Sequence, residues 1–424
     1  MGILIKNASV FDGKHFDLIK DANIIIEKNL IREITGGSIP ECNFDKVIDA
    51  KGRTVIPGLT DAHVHLYFNG QGVTDTMRVD EKAVRSVRFA KDMLLRGFTT
   101  VRDAGGVVYG LKTNIDNGYL DGPRIFPSNA FISQTSGHGD TRAGRGEERI
   151  LDGIYSSVSI NSKGTVLADG VPEILRAVRE QLFLGASQIK IMAGGGAASA
   201  YDPIQTVQFT LEEMRAAVEA AYDYGTYVMA HLYTAASMQR AAQAGVKSFE
   251  HATVMDEESA KMIAANGIWV TPGPQCGREI REGAFPEAKL KKIQFIRRGE
   301  ALTTELINKY DIPIVFGTDA FGDPVRVDAH QLDDFRFFKK RFGSFKGIVA
   351  ATGNIYEQIK LTTYQNPYPE GKIGVLEEGS FADLLIIEGN PVEDLDILAD
   401  RNNIKLIMKN AVVYKDTLQP SRCI

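Results

Sequence analysis

Residues 210–231 read TLEEMRAAVEAAYDYGTYVMAH, and this stretch decides the fold. Thr210-Leu211-Glu212-Glu213 is a capping box, in which the hydroxyl and the carboxylate three positions on satisfy free backbone amides at a helix start. Leu211, Met214, Val218 and Ala221 then recur at helical spacing until Gly225 stops the helix. Thr226-Tyr227-Val228-Met229-Ala230 follows as an apolar strand, and His231 closes it. The same sequence of helix, glycine and strand recurs at Gly97 before Phe98-Thr99-Thr100-Val101, at Gly245 before Val246 to Phe249, and at Gly267 before Ile268-Trp269-Val270. Asp80 is expected to cap the helix ending at Gly97, with Val84, Val87, Ala90 and Leu94 on its apolar face. Ile312-Pro313-Ile314-Val315-Phe316 reads as one more buried strand.

Repeated β-then-α units with almost continuously apolar strands imply parallel pairing with helices outside. Eight candidate strands fit between Thr54 and Thr318, the count of a (β/α)8 TIM barrel. A doubly wound open sheet is the alternative, but no G-x-G-x-x-G follows the first strand. The Gly- and Ser-rich stretch from Ser133 to Gly170 reads as a long loop of the lid or substrate-binding kind.

The two chain ends read differently. Ile3-Leu4-Ile5, Ser9-Val10-Phe11, Ala22 to Ile26 and Leu30-Ile31 are short strands broken by Asp12-Gly13, Lys28-Asn29 and Gly36-Gly37. Ala382 to Ile387, Ile404 to Met408 and Ala411 to Tyr414 behave alike. Neither end can bury a useful core alone, so the two are expected to meet in one small β-sandwich. The expected division is 1–57 and 366–424 for the sandwich and 58–365 for the barrel.

Composition narrows the function. The 424 residues carry 49 basic and 54 acidic side chains, a net charge of −5, so no basic excess exists to neutralise a nucleic-acid backbone. Cys42, Cys276 and Cys423 share no short spacing, which argues against a disulfide framework and a thiolate zinc site. No apolar run approaches the roughly 18 residues of a membrane span, and no basic-then-apolar leader opens the chain. A cytoplasmic protein with no nucleic-acid or membrane partner is expected.

The chemistry rests on a few residues. In His63-Val64-His65 the two imidazoles are two positions apart on a strand, so both can reach one cation. His231, His251 and Asp319 each close a predicted strand, and a (β/α)8 barrel builds its site at that end. Any one of them could be an ordinary polar residue at a strand end; together they converge on one mouth. Lys190 lies in the apolar strand Gln188-Ile189-Lys190-Ile191-Met192, where an unpaired ammonium pays a large desolvation cost. It is either a lysine snorkelling from an edge strand or one converted into a group that belongs beside cations.

These stretches resemble the amidohydrolase superfamily of metal-dependent hydrolases, in the branch of imidazolonepropionases and prolidase-like dipeptidases. The likeness spans essentially the whole chain. It is carried by Val55-Ile56-Pro57-Gly58-Leu59-Thr60-Asp61-Ala62-His63-Val64-His65, the Lys190 strand, Ala230-His231, Glu250-His251, Gly317-Thr318-Asp319 and the return Gly379-Ser380-Phe381-Ala382-Asp383-Leu384. The resemblance implies a Lys190 carbamate, formed from CO2, bridging two divalent metal ions, Zn2+ being expected. His63, His65 and Asp319 would then hold the more buried ion, His231 and His251 the other. A hydroxide shared by the ions would be the nucleophile, with Asp319 as general acid and base. It also implies that His138, in Gln134-Thr135-Ser136-Gly137-His138-Gly139-Asp140, bonds the substrate carbonyl or oxyanion. Tyr233 would contact the substrate α-carboxylate.

The expected activity is hydrolysis of a C–N amide bond in a small-molecule substrate, a dipeptide of Xaa-Pro kind or an N-acyl amino acid, by a homo-oligomer. A cyclic-amide hydrolase or deaminase of the imidazolonepropionase type is the enzymatic alternative, although such mononuclear relatives generally lack the bridging lysine. A non-catalytic, metal-stabilised scaffold is the alternative of another class. Gly194 to Asp202 resembles the family's flexible loop after strand four. Trp269, Cys276 and His330 receive no role, and His15 reads as a surface turn residue. The stretch Asn366-Pro367-Tyr368-Pro369-Glu370-Gly371-Lys372-Ile373-Gly374 departs from the commoner family pattern, away from the ligands.

Overall fold

A computed structural model of the chain describes residues 2–69, 77–140, 164–199, 201–273, 286–322 and 324–418. The two chain ends share one eight-stranded sheet. Its order runs Val412–Asp416, Ile404–Lys409, Leu384–Ile387, Thr54–Pro57, Gly2–Val10, Ile19–Glu27 and Leu30–Thr35, with Lys46–Asp49 also on Gly2–Val10. Gly2–Val10 changes neighbour along its length: Ile3 to Lys6 pair with Lys46–Asp49, and Ser9-Val10 pair with Thr54-Val55. Strand alternation sorts the side chains. Ile3 and Ile5, Ile24 and Ile26, Leu384 and Ile386, Leu406 and Met408 fill a core between the strands of this sheet. Leu385, Ile387 and Ile407 point the other way, into the main core of the molecule, so these strands are buried on both faces and read as continuous apolar runs.

The middle of the chain is α/β with parallel strands. Leu59–Val64, Phe98–Asp103 and Arg124–Pro127 form one sheet; Thr165–Leu167, Phe131–Ser133, Ile189–Met192, Val228–Thr234, Ser248–Val254 and Trp269–Thr271 form the other, in that order. The 312–316 stretch is buried as expected but is not a regular strand. Val270 N donates to Pro313 O at 2.9 Å and Ala62 N to Phe316 O at 2.8 Å, so the segment touches a strand of each parallel sheet, through isolated bridges at Ile314 and Ala320. Pro313 has no amide to give a ladder, and Asp319 takes a left-handed φ of 50°.

Between the strands run helices whose ends follow the sequence signals. Thr210 Oγ1 accepts from Glu213 N at 3.3 Å and Glu213 Oε2 from Thr210 N at 2.7 Å, opening helix Leu211–Asp223. Gly245, at φ 93°, caps helix Ala235–Ala244 in the left-handed region that suits glycine.

Two further expectations need correction. Helix Val79–Leu95 starts at Arg78 with no side-chain cap; Asp80 lies in its first turn and pairs with Arg78 instead. Its inner face is Lys82, Ser86, Phe89, Ala90, Met93 and Leu94, while Val84 is 72% exposed. The helix is turned because the buried Asn69 amide donates to Lys82 O at 2.9 Å and to Ser86 Oγ at 2.9 Å, satisfying polar groups on the inward side. In the stretch expected as one loop from Ser133 to Gly170, Thr165–Leu167 is a strand beside Phe131–Ser133; residues 141–163 lie outside those described. Among the described residues no helix is long and apolar enough to cross a membrane.

Candidate active site

The parallel strands bring the expected residues to one end. His63 lies near the end of Leu59–Val64, His65 just beyond it, and His231 and His251 on neighbouring strands whose register pairs Leu232 with His251. His251 and Asp319 hold left-handed φ values of 72° and 50°. Such backbone costs a non-glycine residue about 1–2 kcal/mol and is concentrated where side chains must be aimed. Lys190 is 1% exposed in the strand Ile189–Met192. His63, His65, His138, Lys190, His231, Tyr233, His251 and Asp319 line a single cavity, about 610 Å³ out to its mouth, together with Phe68, Phe131 and Met192.

Hydrogen bonds fix the His63 side of this cavity. His63 Nδ1 lies 2.7 Å from Glu250 Oε2. Glu250 Oε1 accepts from Arg102 Nη2 and Ser248 Oγ, both at 2.8 Å. Arg102 also donates to Ala62 O at 2.6 Å and to Tyr227 Oη and Thr271 Oγ1 at 3.0 Å. Asp61 accepts from His63 N at 3.2 Å and from Thr318 N at 3.0 Å, joining the strand Leu59–Val64 to the segment that leads to Asp319. His65 Nδ1 is held by Gly105 O at 3.0 Å.

Burial sets the protonation states. It is the main force that pushes His63 down to about 4 and His251 to about 3, with the Lys190 ammonium adding to both, and it drives His231 well below its ordinary value. Burial also pushes the carboxyls of Glu250 and Asp319 up. Arg102 and His63 outweigh this for Glu250, as do His63, His65 and His251 for Asp319, and both acids lie below the usual carboxylate range. Burial likewise lowers Lys190 to about 8, against the pull of Glu250 and Asp319. At neutral pH these are neutral imidazoles facing ionised carboxylates, the forms that ligate cations.

The donor set fits a metal. Ligand atoms of His63, His65 and Asp319 all lie within 4.8 Å of one another, with Asp319 Oδ1 3.3 Å from His65 Nε2 and 3.6 Å from His63 Nε2. The Nε2 atoms of His63 and His231 are buried with no hydrogen-bond partner among the described residues, a state that costs free energy unless a Lewis acid takes the lone pair.

The two substrate candidates join the same wall. His138 stacks on His231 at 4.2 Å and 13°, and its Nδ1 lies 2.8 Å from Ser199 Oγ. Tyr233 stacks on His251 at 5.0 Å and meets His231 edge-on. Ala197 and Ala198, from the loop after the Lys190 strand, also reach the cavity. Trp269 packs instead against a separate apolar cluster that includes Ala62, Phe126 and Val315. His330 is exposed at the end of helix Pro324–His330 and is absent from the cavity wall. His15 is exposed and pairs with Asp12. Cys276 lies outside the described residues. Sequence reading missed the parts played by Arg102, Glu250 and Asp61. Each is a charged residue inside a strand that also carries Thr, Ser or His, so it stands out less in the sequence than Lys190 does in Ile189–Met192.

Known proteins resemble this chain over most of its length. Residues 54–413 match the amidohydrolase family. The ochratoxinase of Aspergillus niger is 30% identical over 382 residues, 85% of this chain and 75% of that protein. A prolidase solved with N-methylphosphonate-L-proline superposes with a TM-score of 0.88 at 31% identity, over 98% of this chain and 100% of that one. A Xaa-Pro dipeptidase with methionine in its active site gives 0.83 at 32% identity, with the same coverage. The chain belongs to the amidohydrolase family and is a hydrolase acting on carbon–nitrogen bonds.

Proposed function

We propose that this chain is a binuclear amidohydrolase that cleaves the amide bond of a dipeptide, Xaa-Pro in kind, or of an N-acyl amino acid. The architecture that goes with it is a closed (β/α)8 barrel over residues 58–365 beside a β-sandwich from 1–57 and 366–424. The observation that carries the binuclear reading is Lys190, an amine 1% exposed that shares a cavity with four metal-competent histidines and Asp319. Burial lowers its pKa to about 8, so much more of it is unprotonated at neutral pH than of an ordinary lysine. The free amine can add to CO2, forming an N–C bond and releasing one proton. The carbamate so formed would supply anionic oxygen ligands beside His63, His65 and Asp319 and beside His231 and His251, the residues that would hold the cations.

When bound, two divalent cations, zinc being the expected pair, would acidify water between them and polarise the scissile carbonyl. The chain's own residues do the rest. Asp319 takes the proton released as water adds to the carbonyl carbon and delivers it to the leaving nitrogen as the C–N bond breaks. His138 donates to the oxygen that gains charge in the transition state. Tyr233 meets the carboxylate of the substrate. The prolidase and Xaa-Pro dipeptidase likenesses favour a free C-terminal carboxylate over a ring. A cytoplasmic homo-oligomer belongs to the same reading.

Metal analysis followed by a panel of Xaa-Pro dipeptides and N-acyl amino acids tests it. Two metals per chain and release of two products are expected. Lys190→Ala should lose metal and activity together, and Asp319→Asn should lose turnover far more than affinity for a product-like inhibitor. A Lys190→Ala protein with both metals and full activity would overturn the bridging role. Ammonia release, or ring opening without a second product, would replace the dipeptidase by a deaminase or cyclic-amide hydrolase. Metal binding with no turnover of any kind would leave a scaffold.

A further inference from the structure

Lys292 stands outside the cavity wall, on helix Glu287–Lys309. An ammonium has three N–H donors, and Lys292 spends them on one short loop. Its Nζ donates to Gly196 O at 3.0 Å, Ser199 O at 2.9 Å and Asp202 O at 2.6 Å. The same loop holds His138. Ser199 Oγ lies 2.8 Å from His138 Nδ1, and Asp202 Oδ2 lies 3.6 Å from that nitrogen. Asp202 Oδ2 also accepts from Gly196 N at 2.8 Å and Gln208 Nε2 at 3.3 Å, while Gln208 Oε1 accepts from His138 N at 2.8 Å.

Gly196 lets ring and loop meet: a Cβ there would lie 1.9 Å from His138 Cε1. His231 stacks on the ring at 4.2 Å. The imidazole is thus held at its Nδ1 edge and by the ring stacked on it. Nε2 makes no hydrogen bond to a described residue and remains for a ligand.

We infer that Lys292 is a positioning residue for the reaction, stapling the backbone at Gly196, Ser199 and Asp202 so that Ser199 and Asp202 hold the His138 ring in its working orientation. This rests on the reading of His138 as a substrate contact. A long-range staple of this kind acts on the transition state more than on ground-state binding, because the oxyanion contact strengthens as charge develops.

The test is a double-mutant cycle on the metal-loaded enzyme with Leu-Pro as substrate, together with the NMR signal of the His138 ring Hε1, assigned by its loss in His138→Asn. Lys292→Met is expected to lower kcat about tenfold with KM within about twofold, to keep the full metal content, and to broaden or shift the ring signal. In the His138→Asn background the same substitution should cost less than about twofold, since coupled residues are non-additive. An unchanged ring signal with unchanged kcat would overturn the inference, as would a full tenfold loss in the His138→Asn background. Should Lys292→Met not fold, Ser199→Ala enters the same cycle with the same expectations. If His138→Asn leaves kcat intact, the oxyanion reading fails, while the ring signal still decides whether Lys292 orients His138. That signal also decides it where Leu-Pro is not turned over.

Discussion

The two sides of the cavity are built differently. On one, His63 is locked by Glu250, and Glu250 by Arg102 and Ser248, an unbroken run of buried hydrogen bonds ending on backbone and hydroxyl groups. On the other, His231 makes no side-chain hydrogen bond among the described residues; it is fixed by ring contacts with His138, Tyr233 and His251. Hydrogen bonds specify an angle and tolerate no loss of a partner once buried. Ring contacts specify a plane and allow sliding at a cost of about 0.5–1.5 kcal/mol per pair. The first side is therefore formed before any ligand arrives, and the second can adjust to what enters.

Breaking the rigid side should give the largest effect. Arg102→Met strands the fully buried Glu250 carboxylate, and losing one partner of a buried pair costs about 3–5 kcal/mol. A urea unfolding midpoint lowered accordingly is expected; one within experimental error of the parent would mean that the chain to His63 is not needed for stability. Glu250→Gln keeps the shape but weakens the acceptor behind His63. Metal affinity should fall about 10- to 100-fold in a chelator competition, and an unaltered affinity would remove Glu250 from the site.

Acid provides the next comparison. His63 and His251 have folded values depressed to about 4 and 3, so below the unfolded value near 6.5 the unfolded chain binds more protons. Stability of the metal-free protein should be complete above that pH and decline from about 6.5 down towards 3–4. Glu250 and Asp319, also depressed, should extend the loss below the ordinary carboxylate range. A midpoint flat from pH 7 to 4 would contradict buried neutral histidines. The smallest effect is expected on the adaptable side. Tyr233→Phe keeps the ring stacked on His251 and should raise KM about three- to tenfold with metal affinity unchanged, as loss of one hydroxyl contact implies. A change in metal affinity instead would tie the hydroxyl to the metals.

Much of this was legible in the sequence because the candidate ligands obey strand arithmetic. His63 and His65 are two apart, and His231, His251 and Asp319 each stand at or just past the end of a predicted strand. Their supports obey no local rule. The pairing of Glu250 with His63 and Arg102 joins residues from three strands, and no spacing along one strand announces it. The inward face of helix Val79–Leu95 was misread for a related reason: Asn69, outside the helix, satisfies Lys82 O and Ser86 and so turns Val84 outward. Periodicity finds which residues share a face; it does not say which polar ones have partners waiting. Lys292 lies beyond both kinds of signal, since three carbonyls of a distant loop carry no side-chain mark in the sequence.

The sheet shared by the chain ends has a consequence for synthesis. Thr54–Pro57 hydrogen-bonds along Leu384–Ile387, a partner made about 330 residues later, and at roughly 5–20 residues per second of translation that is on the order of a quarter to one minute. Throughout that interval an apolar strand edge stands open in the nascent protein, inviting neighbours to pair with it. Expression at lower temperature or with added chaperone should therefore raise the yield of soluble enzyme, and the first aggregates should be held together through the strands nearest residue 54.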